Sequence, residues 1–106
     1  MDYSVKDFYV PTITYFTSEN KLTGSRNGMN YKFTPDKKEG TLLLQVWYGE
    51  FNLEHSELVD QTTFIMETLE KEGMGAVEQW LYQQYDRYAS TAQAAAYLKK
   101  QKKREV

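Results

Sequence analysis

Apolar positions follow two different periods along the chain. In the first half, short apolar runs alternate with polar residues or end at turn residues, which is typical of β-strands. In the second half, apolar residues recur at spacings of three and four, which is typical of an amphipathic helix. The pattern therefore predicts strands first and helices afterwards.

Four runs have strand character. Residues 10–17 are rich in β-branched and aromatic side chains, and Pro11 suits the start of an edge strand. Residues 29–34 alternate strictly between apolar and polar, and residues 41–49 form the most apolar run, which we expect to be central. Residues 57–66 supply a fourth candidate. Together they predict an antiparallel meander.

The glycine-containing stretch at residues 18–28 is predicted to connect the first two strands. A phosphate-binding loop needs a helix after its glycines, but here a strand follows. Asn27-Gly28 instead favours a type I′ hairpin turn, which needs positive φ at both central residues. Lys21 and Arg26 project from this predicted loop and are candidate contacts to a phosphate backbone or a carboxylate.

The helical pattern runs from Leu69 to Tyr88, with Thr68 as the predicted N-cap. We expect its apolar face, which includes Trp80 and Leu81, to cover one side of the sheet. A second helix is predicted after Thr91, rich in helix-forming residues but poor in apolar ones. The expected architecture is α+β: a four-stranded antiparallel meander, an amphipathic helix on one face, and a basic C-terminal helical extension. Residues 1–88 would form the domain and residues 89–106 the tail.

Composition narrows the class of protein. The 106 residues suit a single domain, and the absence of cysteine excludes disulfides and thiolate metal sites. No apolar run approaches the ~20 residues of a membrane span, and the N-terminus does not resemble a secretory signal. We therefore expect a cytoplasmic protein without a membrane contact. Aromatic residues make up 15% of the chain, which suits either a tyrosine-rich sheet or an interface.

Charge is distributed unevenly. The net charge is −2, but the last ten residues carry +4, which leaves −6 on the first 96. Between residues 50 and 78 the only base is Lys71, against eight acids: Glu50, Glu54, Glu57, Asp60, Glu67, Glu70, Glu72 and Glu78. Carboxylates in such a segment can imitate nucleic-acid phosphates and occupy a basic groove, although loops and helix N-termini are commonly acidic for other reasons.

No catalytic motif stands out, so we expect no enzyme activity, cofactor or metal site. His55 is the only histidine, and Glu54 and Glu57 are the nearest further ligands for a metal. Ser25 lacks the strand-turn-helix context of a nucleophile elbow. A small hydrolase or nuclease would have to depend on His55, and a silent His55→Ala substitution would remove that hypothesis.

Three stretches carry a resemblance: "FYVPTITYFTSENKLTGSR" from residue 8, "YKF" from residue 31, and "VWYGEFNLEHSE" from residue 46. They resemble small accessory proteins of bacterial plasmids and conjugative elements, some of which are anti-CRISPR inhibitors of type II effector nucleases. The resemblance extends to about residue 88 and leaves the basic tail outside. Anti-CRISPR proteins share no common fold, so it implies a mechanism and not an architecture.

The implied partner is a CRISPR effector nuclease or its guide-RNA complex, which holds nucleic acid in positively charged channels. Trp47 and Tyr48 would be anchors if exposed. Seven of the acids would supply the charge for binding: Glu50, Glu54, Glu57, Asp60, Glu67, Glu70 and Glu72. The basic residues could contact RNA directly; they are Lys21, Arg26, Lys99, Lys100, Lys102, Lys103 and Arg104. The alternative is a small RNA- or DNA-binding regulator that uses the tail and the aromatics Tyr31, Phe33, Trp47 and Tyr48.

Overall fold

A computed structural model describes residues 10–49 and 53–104 of the chain. Within these residues, four strands and four helices follow one another, with a short 3₁₀ turn at Leu53–His55 between β3 and β4. In chain order they are α1 (Ile13–Thr17), β1 (Leu22–Arg26), β2 (Met29–Asp36), β3 (Thr41–Tyr48), β4 (Leu58–Ile65), α2 (Met66–Glu72), α3 (Gly75–Ala89) and α4 (Ala92–Arg104).

The strands form one antiparallel sheet in the order β1-β2-β3-β4, which confirms the predicted meander and the α+β class. β2 and β3 are central, and Leu44 of β3 lies between Phe33 of β2 and Thr62 of β4. The predicted alternation of β2 is also confirmed, because Met29, Tyr31 and Phe33 are buried. No helix in the described part of the chain is long and apolar enough to cross a membrane.

The prediction of a strand at residues 10–17 is wrong. Ile13–Thr17 forms the short helix α1, and Phe16 turns inward to pack on Phe33 with 4.9 Å between the ring centroids. The first strand is Leu22–Arg26, inside the stretch predicted as a loop. A two-residue hairpin turn joins strands directly on both sides, so the turn at Asn27-Gly28 requires a strand immediately before it.

That turn itself is confirmed. Asn27 has φ 50° and Gly28 has φ 95°, which is the backbone sign that a type I′ turn demands. Gly28 is also required for space, because a Cβ there would lie within 3.4 Å of Tyr88 and Tyr97. The glycines at 24 and 28 therefore belong to a hairpin and not to a phosphate loop.

The predicted long helix is interrupted. α2 begins at Met66, directly after β4, so Thr68 lies inside the helix and the predicted N-cap is wrong. Gly73 has φ 82°, a left-handed conformation that ends α2, and α3 begins at Gly75. Because of this break, α2 and α3 are separate helices, and each packs its own apolar face against the core.

The core lies between the sheet and the helices. Inward-facing sheet residues include Phe33, Leu42 and Val46, and the helices contribute buried side chains that follow the predicted stripe. These are Leu69 of α2 and Val77, Leu81, Gln84 and Tyr88 of α3. The expectation that the helical region covers one face of the sheet is confirmed.

The other face of the sheet carries mostly polar side chains. Thr23, Lys32, Gln45 and Gln61 lie across it in register, one from each strand. Gln45 Nε2 donates to Gln61 Oε1 over 3.2 Å. We call this surface the open face.

The C-terminal extension is helical, as predicted, but it begins inside the fold. Thr91 caps it, because its Oγ1 accepts from the N–H of Ala94 at 3.2 Å. Ala94 is buried in the core cluster and Tyr97 is half-buried near Gly28. The first turns of α4 are thus part of the packed domain.

Candidate interaction surface

The acidic segment does not form one surface, because β4 runs through its middle. The eight residues of β4 span about 25 Å. Glu57, just before the strand, and the acids after it therefore lie at opposite ends of β4. Glu54 is exposed beside Trp47 on the open face, and Glu67, Glu70 and Glu72 are exposed after the strand; Glu50 lies outside the described residues.

Asp60 lies within β4 and is used inside the molecule. Its Oδ1 accepts from the backbone N–H of Gln61 at 2.8 Å, and its Oδ2 accepts from Gln84 Nε2 at 2.8 Å. Arg87 Nη1 lies 3.7 Å from the same Oδ2. Because Asp60 is half-buried and bonded on both oxygens, it contributes less to an outer surface than the glutamates do.

The acids after β4 are concentrated around α2. Glu67, Glu70 and Glu72 are exposed on this seven-residue helix, and Glu78 follows in the first turn of α3. We call these four residues the acidic end. Lys71 lies 3.2 Å from Glu67, but both side chains are 74% exposed, so this ion pair contributes little and neutralises only part of the charge.

Apolar grooves lie on both sides of α2. One is lined by Val10, Ile13 and Met74, with Glu70 and Glu78 at its border. The other lies against β4 and is lined by Phe64, Ile65 and Ala76, with Glu72 at its border. Ile65 is 54% exposed, which makes it the most exposed of the large apolar side chains described. Apolar surface bordered by charge is the usual arrangement of a protein interface.

The two predicted aromatic anchors are largely covered. Trp47 is only 2% exposed, and it lies at the open face in a small cavity shared with Leu53 and Glu54. Tyr48 is half-buried, and its ring packs against the ring of Tyr88 with 4.7 Å between the centroids. Neither residue presents an exposed ring to a partner, because neighbouring residues pack against both side chains.

The aromatics proposed for stacking on nucleic-acid bases are also in the wrong place for that role. Tyr31 is 3% exposed and Phe33 is fully buried, and both lie in the core between the sheet and the helices. Their alternation was predicted correctly, but it directs them under the helices and not toward solvent. The open face therefore offers no stacking platform among the described residues.

The basic residues lie in separate places. Lys21 is exposed just before β1, whereas Arg26 faces α3, with its guanidinium carbon 4.9 Å from the centroid of the Tyr85 ring. Lys99 is exposed on α4. Four further bases belong to the end of α4, and their side chains lie outside the described part: Lys100, Lys102, Lys103 and Arg104.

A tyrosine network joins the hairpin turn to α3, and the sequence reasoning missed it. Tyr88 donates from its hydroxyl to the carbonyl of Asn27 at 2.6 Å, and Asn27 Nδ2 donates to the Tyr85 hydroxyl at 2.7 Å. Burial, followed by the neighbouring tyrosines, raises the pKa of Tyr88. Tyrosines three residues apart on the helix, facing an Asn-Gly turn, are the only sequence signal for it.

Tyr48 lies beside this network. Burial raises the pKa of Tyr48 above its usual range, and Asp60 raises it further while Arg87 opposes the shift. The Tyr48 hydroxyl is buried, and it has no hydrogen-bond partner among the described residues. The Oε1 atom of Gln84 is also buried and has no hydrogen-bond partner among the described residues.

The structure describes only some of the candidate catalytic side chains. Ser25 is exposed on β1, and His55 ends the 3₁₀ turn with its side chain outside the described part. Glu54 and Glu57 are exposed nearby. Within residues 10–49 and 53–104, no group of three or more His, Asp or Glu side chains could hold a metal ion.

Comparison with protein-family models, with curated proteins and with solved structures found no match to this chain. The assignment of a function therefore depends on the surfaces described above.

Proposed function

We propose that the chain is a non-enzymatic binding protein and an anti-CRISPR-type inhibitor of a guide-RNA-loaded type II effector nuclease. It would bind through the acidic end and the two grooves beside α2. The observation that supports this proposal is the combination of exposed carboxylates with apolar grooves on a single helix. Glu54 and Glu57, at the other end of β4, would take no part in the contact.

The physical argument has two parts. An effector nuclease holds its guide and target in positively charged channels, so a cluster of carboxylates is attracted to the surface that normally receives phosphates. Charge alone steers association and discriminates between partners, whereas affinity comes mainly from desolvated apolar contacts. Ile65, Met74 and Ile13 offer such contacts beside the carboxylates.

The alternative is a small regulator that binds RNA or DNA. Its support is α4, a helix that continues to Arg104 and carries five bases near its end. Such a run releases counterions on contact with a nucleic acid, so binding would weaken steeply with salt. The alternative now depends on α4, because the aromatics expected to stack on bases are buried.

The direct test is DNA cleavage by a purified type II effector, with the protein added at different stages. Inhibition only when the protein precedes the target DNA supports occupation of the DNA-reading groove. Inhibition only before guide loading supports an RNA contact. Unchanged cleavage across several effectors would contradict the proposed target.

Matched charge variants identify the surface. We expect Glu70→Gln with Glu72→Gln to weaken inhibition strongly, because both carboxylates border the grooves. Glu54→Gln with Glu57→Gln changes the net charge equally at the other end of β4 and should have little effect. Equal losses from the two pairs would mean that net charge, and not the acidic end, drives binding. Replacing the α4 bases with glutamine should abolish binding only under the alternative.

A further inference from the structure

The outer edge of β4 is the most apolar uncovered feature of the described fold. β4 is the last strand of the sheet, and no described strand pairs with its outer side. All the large apolar side chains that are exposed in the described part belong to this strand: Leu58, Val59 and Ile65. An edge strand with exposed apolar residues and unpaired backbone groups is a template for another strand.

The backbone groups that face outward can be assigned from the register. The N–H of Met66 donates to Gly40, at the end of β3, over 2.9 Å. Because backbone groups alternate in direction along a strand, the even-numbered residues of β4 face β3. The N–H and C=O groups of Gln61, Thr63 and Ile65 therefore face outward.

Two of these outward groups are already used. The N–H of Gln61 donates to the carboxylate of Asp60. The C=O of Ile65, the N-cap of α2, accepts the first hydrogen bond of that helix. The groups that remain are the C=O of Gln61, both groups of Thr63, and the N–H of Ile65.

We propose that a second copy of the chain pairs with this edge, antiparallel and centred on Thr63. In that register Thr63 exchanges both of its backbone hydrogen bonds with the Thr63 of the second copy. Gln61 lies opposite Ile65, so the Ile65 N–H donates to the Gln61 C=O. This register omits the bond from the Gln61 N–H to the Ile65 C=O, once in each direction, and both of these groups already have partners within their own chain.

The irregular start of β4 favours the same register. Val46 pairs with Asp60 and Trp47 pairs with Leu58, so Val59 is an extra residue that forms a bulge. A bulge ends regular pairing on an edge strand, which leaves Asp60–Ile65 as the regular part. The centre of pairing therefore falls in the second half of the strand.

Charge also permits the pairing. The side chains that face one another are Thr63 with Thr63 and Gln61 with Ile65 on the open face, and Thr62 with Phe64 on the helix side. No like charges lie directly opposite each other across the interface. Like charges in such positions would destabilise the pairing. The two copies of α2 would begin roughly 20 Å apart, a separation beyond the screening length of about 10 Å at 0.1 M salt.

The dimer would have one continuous sheet with both helical layers on the same side, because the two-fold axis is perpendicular to the sheet. This inference goes beyond the proposed function and does not depend on it. The dimer would cover Phe64 and Ile65, which also line one groove beside α2, so a second copy and the nuclease would compete for that groove. Mass in solution tests the dimer, whereas nuclease cleavage tests the function, so either can fail alone.

The first experiment is mass by light scattering across a wide range of concentration, in the full chain. We expect a dimer of twice the 12.5 kDa chain mass at high concentration. Thr63→Pro should halve the observed mass, because proline removes the outward N–H and leaves the bonds to β3 intact. Thr63→Val keeps the N–H and should stay dimeric. A wild-type monomer throughout, or a folded Thr63→Pro variant that remains dimeric, would overturn the proposal.

A second measurement does not depend on a variant that folds. Amide hydrogen exchange of Thr63 and Ile65 should slow as the wild-type concentration rises, because dimerisation protects these groups. Exchange at Gln61 should not change, because Asp60 already accepts from its N–H. Exchange at Thr63 that is independent of concentration, in a sample whose mass is dimeric, would place the interface elsewhere and overturn the proposed register.

Discussion

Two tyrosines that pack against each other should respond in opposite ways to loss of the hydroxyl. Tyr88→Phe removes the 2.6 Å hydrogen bond to the carbonyl of Asn27 and leaves the buried ring in place. The net contribution of such a bond is about 1 kcal/mol. Tyr48→Phe removes a buried hydroxyl that no described residue bonds, so the substitution relieves a desolvation cost.

We expect Tyr88→Phe to lower the free energy of unfolding by about 1 kcal/mol, and Tyr48→Phe to leave it unchanged or raise it by up to about 1 kcal/mol. Urea unfolding measures both. With a slope near 2 kcal/mol/M, the Tyr88→Phe midpoint should fall by about half a molar, with no change in slope. The centroids of the two rings lie 4.7 Å apart, and phenylalanine keeps this ring packing in both variants. The comparison of the two variants therefore isolates the effect of each hydroxyl.

The result that would refute this reasoning is an equal loss of stability in both variants. The Tyr48 hydroxyl would then have a partner, for example a buried water shared with the Oε1 atom of Gln84. A neutral Tyr88→Phe variant would instead mean that the bond to Asn27 does not hold the hairpin turn against α3.

Two further outcomes are expected. Leu81→Ala should cost about 2–5 kcal/mol in urea unfolding because Leu81 is fully buried under the sheet, whereas Gln83→Ala, exposed on the same helix, should change stability by less than about 0.5 kcal/mol. Similar values for the two would mean that α3 does not cover the sheet. Burial raises the pKa of Tyr48 and of Tyr88 in the folded state, so their contribution to stability is complete below the ordinary tyrosine pKa of about 10 and is lost as pH rises through the folded values. The urea concentration at the unfolding midpoint should therefore decrease as the pH rises above about 10. The decrease should be smaller in the variant with both tyrosines replaced by phenylalanine. An equal decrease in that variant would assign the loss of stability to other groups.

Local patterns predicted much of the fold. The alternation at residues 29–34, the apolar run at residues 41–49 and the Asn27-Gly28 turn each match the structure because each depends on neighbours in the chain. The stripe on α3 was also predicted, since burial of one helix face follows directly from period 3.6. The first strand was misplaced because Phe16 and its β-branched neighbours have strand propensity, whereas packing on Phe33 places them in a helix.

The candidate surface was predicted less well. Acids that are neighbours in sequence are separated by the length of β4, and Asp60 turns inward to Gln84. Trp47 faces the side of the sheet that the alternation assigned to it, yet it is only 2% exposed there and shares a small cavity with Leu53 and Glu54. Exposure depends on which segments pack over a residue, and a one-dimensional pattern does not contain that information.

The sequence by itself determined the α+β class, the hairpin turn, the central strands and the charged character of the two chain regions, because propensity, periodicity and charge are local properties. Only the tertiary structure decided which carboxylates share a surface, which aromatics are covered, and which backbone groups of β4 face outward. These features arise from contacts between residues distant in sequence, such as Asn27 with Tyr88 and Asp60 with Gln84. These contacts contribute to stability only after folding has brought the distant residues together.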